Sequence, residues 1–137
     1  MVIADEKFPK SYMLCSRDTL SEVYSKGKGV FKHPFSAKIL VGNKDLPEAF
    51  EIAISVPKRR IPKAHDRNKI KRKVKEALRK NKNILESFLS QSEQSMSILL
   101  VYSTNEAMEY KDIEKQLIKL LQIINDKFNK NETRPTA

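Results

Sequence analysis

Thirteen of the chain's 27 lysines and arginines fall between positions 58 and 82, where only Asp66 and Glu76 oppose them. That stretch carries a net +11, and the remaining residues together carry −1. Most of it, "HDRNKIKRKVKEALRKNK" (65–82), has helical spacing. Arg67, Lys71 and Lys75 recur at i+4, with Asn68, Lys69, Arg72 and Arg79 close by. A merely solvated helix mixes signs, because each Glu–Lys pair at i+4 stabilises it by about 0.2–0.5 kcal/mol. Here that pairing is nearly unused. Ammonium and guanidinium groups crowded in this way repel one another and call for a polyanion. Arginine holds a phosphate bidentately, and asparagine both donates to and accepts from sugar or base edges. The apolar residues Ile70, Val74 and Leu78, with Ala77 beside them, make only a narrow seam. A membrane-surface helix needs a broad one, so nucleic acid is the better partner. Just upstream, Pro57 and Pro62 bracket an extended or looped segment, and Lys58, Arg59, Arg60 and Lys63 add to the same charge.

Other chemistries find little support. The chain has one cysteine, Cys15, with no sequence neighbour to activate it, and it suits a small buried residue better than a nucleophile. Its two histidines, His33 before a proline and His65 before the charged helix, read as loop residues, although a nuclease that used both in one pocket is not excluded by sequence. Asp66 suits a helix cap, with a hydrated magnesium as the alternative. No phosphate-binding glycine loop, dinucleotide fingerprint or zinc spacing is present.

Several elements must hold the charged helix in place. "RDTLSEVYSKGKG" (17–29) reads as a short helix, capped by Asp18, with Leu20, Val23 and Tyr24 as its stripe and Gly27 and Gly29 as its stop. "HPFSAKILVGN" (33–43) alternates as a strand, with Phe35, Ala37, Ile39 and Val41 on one face and Ser36, Lys38 and Leu40 on the other. A turn over 44–48 leads to a second alternating strand, 49–57, and the pair suggests an antiparallel hairpin. After the charged helix come a short helix over 83–91, with Ile84, Leu85, Phe88 and Leu89, a linker over 91–95, and a buried-strand run over 96–104. A long amphipathic helix over 106–128 closes the order, with Ile113, Leu117, Leu120, Leu121, Ile124 and Phe128 as its stripe. A helical crossover between the second and third strands predicts that they lie parallel. The expected fold is an α+β two-layer sandwich, a mixed sheet packed with helices. It forms one domain over 1–130, with a loose arm over 1–12 and a disordered tail over 131–137, the polar stretch beginning at about 129. A single cysteine, no secretory signal and no apolar run long enough to span a bilayer fit a cytoplasmic protein.

"RNKIKRKVKEALR" (67–79) closely resembles the Arg-Asn-Arg signature helix of the bacterial ribonuclease P protein family. "SVPKRRIPKAHD" (55–66) resembles the Val-x-Lys-Lys stretch before it, and "RDTLSEVYSKGKGVFKHPFSAKIL" (17–40) the family's first helix, Lys-Gly turn and first strand. The likeness runs from about 17 to 128. At the third signature position stands Lys69, which keeps the charge but not the bidentate geometry. The resemblance implies a four-stranded-type mixed sheet with a left-handed βαβ crossover, where general rules favour a right-handed one. It implies an endoribonuclease subunit that binds a catalytic RNA and precursor tRNA, while the RNA, with Mg2+, hydrolyses the phosphodiester that releases the 5′ leader. No cofactor is assigned to the protein itself, and no membrane or further protein partner is required. Arg67, Asn68, Lys69, Lys71 and Arg72 are implied to face the catalytic RNA, joined by Lys75, Arg79, Lys58, Arg59, Arg60 and Lys63 on charge. A cleft between first helix and sheet is implied to take the leader, with Leu20, Tyr24, Phe35 and Lys38 at the matching positions. Lys26 and Lys28, flanking Gly27, are available to leader phosphates. The family commonly has an aromatic where Leu20 stands. From the residues alone, Tyr24 suits stacking or packing equally, Phe35 suits the core, and Lys38 points away from Phe35. The alternative function is a non-catalytic RNA-binding module of ribosomal or RNA-chaperone type.

Overall fold

Alternation in the sequence becomes a four-stranded sheet in the computed structural model, which describes residues 12–14, 16–42, 50–92 and 95–133. The elements are α1 (Arg17–Lys26), β1 (Lys28–Lys32), β2 (Phe35–Gly42), β3 (Phe50–Ser55), α2 (Ala64–Asn81), α3 (Asn83–Ser92), β4 (Ser95–Tyr102) and α4 (Tyr110–Thr133). The strand order is β1-β2-β4-β3. β1 and β4 each pair antiparallel with β2, and β3 runs parallel to β4. The parallel crossover from β3 through α2 and α3 is thus as expected, and the α+β fold holds.

The expected hairpin between the two alternating strands does not form. β4 lies between them, and β2 makes its hairpin with β1 instead. β1 is an element the sequence reading lacks. "KGVFK" is five residues long, contains a glycine and buries only Val30, so it carries almost no periodic signal. Helix α1 is capped by Ser16, whose hydroxyl accepts from the Thr19 amide, and Asp18 falls in the first turn. Helix α2 likewise begins before Asp66, at Lys63, with no side-chain cap bond; Asp66 lies in the first turn, where its charge suits the helix dipole. Helix α4 starts later than expected and runs on through 131–133, into the stretch read as a disordered tail. Tyr12, placed in the loose arm, is buried against Phe50 with its ring 5.0 Å away, and its hydroxyl bonds Glu86. The rest of the arm, Cys15, the turn over 44–48 and residues 134–137 lie outside the described residues.

The sheet has two unlike faces. On one, Phe35, Ala37 and Ile39 of β2, Met96, Ile98, Leu100 and Tyr102 of β4, and Phe50 and Ile52 of β3 meet the buried seams of α2, α3 and α4. Burying each large side chain there stabilises by about 1.5–3 kcal/mol. On the other face, among the described residues, α1 alone lies across β2 and β4, anchored by fully buried Val23. Lys38, Leu99, Val101 and Ser55 on that face stay partly exposed.

Candidate nucleic-acid interface

The basic loop is held by its own backbone and two apolar pins. Arg60 and Ile61 both donate their amides to the Pro57 carbonyl at 3.0 Å, closing a tight turn. Val56 and Ile61 are buried on either side of it. Lys58 and Arg59 are driven outward, Arg60 partly so, and Lys63 is exposed at the helix start. Arg67 braces the junction, with Nη1 donating to the carbonyls of Ile61 at 3.1 Å and Pro62 at 2.8 Å. Its guanidinium therefore has a structural task, and its other N–H groups remain for an anion.

Along α2 the seam of Ile70, Val74, Ala77 and Leu78 is buried, which turns the opposite arc to solvent. Asn68, Lys69, Arg72 and Lys75 are exposed there, and Lys71 flanks them half-buried. Among the described residues the ion pairs are Lys26–Glu22, Arg79–Glu76, Lys80–Glu76 and Lys82–Glu86, so none engages the loop or the first half of α2. Arg79 stands apart from the other basic residues assigned to this surface. It holds Glu76 through Nε at 3.1 Å and Nη2 at 2.7 Å. That hydrogen bond draws the Glu76 carboxyl below its ordinary value, against a desolvation that opposes it. Lys73 is also engaged, on the Met108 carbonyl at 2.9 Å.

The second feature is a crevice of about 680 Å³ between α1 and the open face of the sheet, lined by Arg17, Leu20, Ser21, Tyr24, Ser25 and Leu99. Gly27 sets the approach of α1. A Cβ at that position would stand 2.5 Å from the Val23 carbonyl oxygen of α1 itself and 3.2 Å from the Ile39 amide nitrogen of β2. Lys38 donates to the Tyr24 carbonyl at 2.7 Å and lies 4.4 Å from the Tyr24 ring centroid, which fixes the ring beside an ammonium. The Tyr24 ring itself is exposed. Leu20, Tyr24 and Lys38 are thus brought together.

Three residues assigned to the same cleft are not. Phe35 is 1% exposed, on the opposite face, edge-on to Tyr102. Strand alternation puts it there, as the residues alone suggested. Lys28 pairs in register with Ile39 and lies 5.9 Å from the Phe128 ring of α4, beneath the sheet. Lys26 pairs with Glu22 on a part of α1 that does not line the crevice. Arg17 and Leu99 were missed. Arg17 precedes Leu20 by three and Tyr24 by seven, a spacing that could have revealed it. Leu99 needed the strand order.

His33, in the β1–β2 turn, and His65, in the first turn of α2, sit exposed on separate elements. Among the described residues no group of three or more His, Cys, Asp and Glu comes together as a metal site. Nor is any helix among them long and apolar enough to cross a membrane.

An uncompensated cationic helix arc beside a half-open sheet face with an exposed aromatic defines a class of α+β domain suited to a phosphate backbone and unpaired bases. The family model for ribonuclease P matches residues 8–125, and the chain belongs to that family. It is 29% identical over 112 residues to the ribonuclease P protein component of Porphyromonas gingivalis, covering 82% of each chain. In structure it resembles the RNase P protein of Staphylococcus aureus, with TM-score 0.66, 24% identity and coverage of 84% of this chain and 96% of that one. It also resembles the Thermotoga maritima protein, with TM-score 0.65, 20% identity and coverage of 80% and 94%. Family membership implies tRNA processing as the setting and an RNA partner in a holoenzyme.

Proposed function

We propose that this chain is the protein subunit of a cytoplasmic ribonuclease P that removes the 5′ leader of precursor tRNA. The catalytic RNA and its magnesium carry out the phosphodiester hydrolysis. The protein's part is binding. Lys58, Arg59, Arg60 and Lys63 of the loop, with Arg67, Asn68, Lys69, Lys71, Arg72 and Lys75 of α2, neutralise phosphates of the catalytic RNA and release their counterions. The crevice lined by Leu20, Tyr24 and Leu99, with Lys38 held against Tyr24 beside it, takes the leader, whose unpaired bases stack on Tyr24. By bridging two RNAs, the protein lowers the magnesium needed to hold them together.

The observation that carries this reading is the first half of α2, where exposed cations stand without acidic partners among the described residues. Cleavage of a precursor tRNA by a bacterial catalytic RNA at low magnesium tests it. Addition of the purified chain is expected to raise the rate. No gain, together with equal affinity for unrelated structured RNAs, would favour the non-catalytic RNA-binding module instead.

A further inference from the structure

We propose that Phe31 is a second stacking platform for unpaired leader nucleotides, carrying the track past the α1 crevice onto the edge strand β1. The inference rests on the leader-binding reading of that crevice. Tyr24 and Phe31 are the most exposed of the large hydrophobic side chains, at 65% and 63%. Both lie on the same side of the sheet. Phe31 pairs in register with Ser36, and Gly29 with Lys38, so Phe31 shares the open face and is the diagonal neighbour of Lys38. Alternation sends Val30 the other way, where it is buried.

Helix α4 packs on β1 from beneath. Phe128 lies near the Lys28 ammonium, and Lys127 donates to the Gly29 carbonyl at 3.3 Å. Among the described residues the core thus supplies no cover for Phe31, and α1 stops at Lys26, before β1 begins. Two exposed rings therefore share this face, with the Lys38 ammonium stacked on Tyr24 and the Lys38 backbone diagonal to Phe31 in the ladder. A strand of unpaired nucleotides offers the matching alternation of flat bases and phosphates. Base–aromatic stacking tolerates any base, because every base has a π-face. A lone exposed phenylalanine needs no explanation. One on the same face as a crevice that already holds an exposed tyrosine and a lysine does.

The test uses the full chain in the reconstituted holoenzyme, with precursor tRNAs whose leaders are shortened stepwise from the 5′ end. Phe31→Ala is expected to weaken binding of long-leader substrates by about fivefold or more. Binding of leaderless tRNA and of the catalytic RNA should not change, and Phe31→Tyr should restore the loss. The chain has no tryptophan, so Phe31→Trp supplies a single indole. Its fluorescence should be quenched by leader-bearing precursor and not by mature tRNA. If Tyr24→Ala shows leader dependence and Phe31→Ala does not, the Phe31 proposal fails alone. If neither does, the crevice reading fails with it. A Phe31→Ala effect seen only as loss of self-association, with leader binding intact, would make this ring a protein contact and overturn the proposal.

Discussion

The first half of α2 and the α1 crevice offer a nucleic acid different physics. The α2 surface is nearly all charge, carried by a helix whose apolar seam serves only the core. The crevice is mostly apolar, and the ammonium beside it, Lys38, is already bonded to Tyr24. Charge alone attracts any phosphate backbone, with an affinity that falls steeply in salt. Stacking on an exposed ring requires a base that is not paired, and because a neutral ring releases no counterions its own contribution depends little on salt. On the proposed reading, one surface supplies affinity and the other discriminates a single-stranded leader from folded RNA. The same contrast recurs within α2. Its last turns hold Arg79 and Lys80 on Glu76, and its first turns leave Asn68, Lys69, Arg72 and Lys75 to solvent.

The largest expected effect breaks the charge side of this contrast. Combined Lys69→Ala, Arg72→Ala and Lys75→Ala should cost roughly a thousandfold or more in affinity for catalytic RNA, at about 1.5–3 kcal/mol per charged hydrogen bond lost. A salt titration should show the slope falling by about one for each phosphate contact removed. Thermal unfolding should shift by no more than about 0.5 kcal/mol, because these side chains are exposed. Tyr24→Ala should cost about 1–3 kcal/mol in binding of leader-bearing substrate, with the salt slope unchanged, and the two titrations side by side would show the separation directly.

Gly27→Ala attacks the crevice from beneath. The new methyl would stand 2.5 Å from the Val23 carbonyl oxygen and 3.2 Å from the Ile39 amide nitrogen, so the last turn of α1 and its seat on β2 must shift, and chemical denaturation should report a loss of about 1–3 kcal/mol. Catalytic-RNA affinity should survive, since α2 packs on the other face. The smallest effect sharpens the division within α2. Arg79→Ala should leave the salt slope nearly unchanged and slightly destabilise the fold. The lowered Glu76 carboxyl stabilises the folded state fully above its ordinary value of 4.5, and that contribution is lost as pH falls through the lower folded value. Melting curves of Glu76→Gln should accordingly lose part of the acid-side slope seen in the wild type.

Features that are local in the chain were legible before the structure. The cation cluster, the α2 seam and the alternation of β2 and β3 all follow from neighbours within a few residues. Phe35 on the core face and Lys38 on the open one could be read from parity alone. Strand order could not be. Whether β2 and β3 pair or admit β4 between them is decided by contacts far apart in sequence, through the α2–α3 crossover. The crevice suffered for the same reason, because Leu99 meets α1 only once β4 sits in the middle of the sheet. Arg67 shows a subtler gap. Its charge was visible, and its bracing of the Ile61 and Pro62 carbonyls was not, since that depends on how the loop folds back.

Tethered cleavage of the catalytic RNA tests the central claim most directly. With Cys15 replaced by serine, an iron chelate is attached at His65→Cys, in the first turn of α2, or at Lys115→Cys, on the exposed side of α4. Strong, localised cuts in the catalytic RNA are expected from position 65 and few from position 115. Equal cutting from both, or cutting from 115 alone, would contradict an RNA interface seated on the first half of α2.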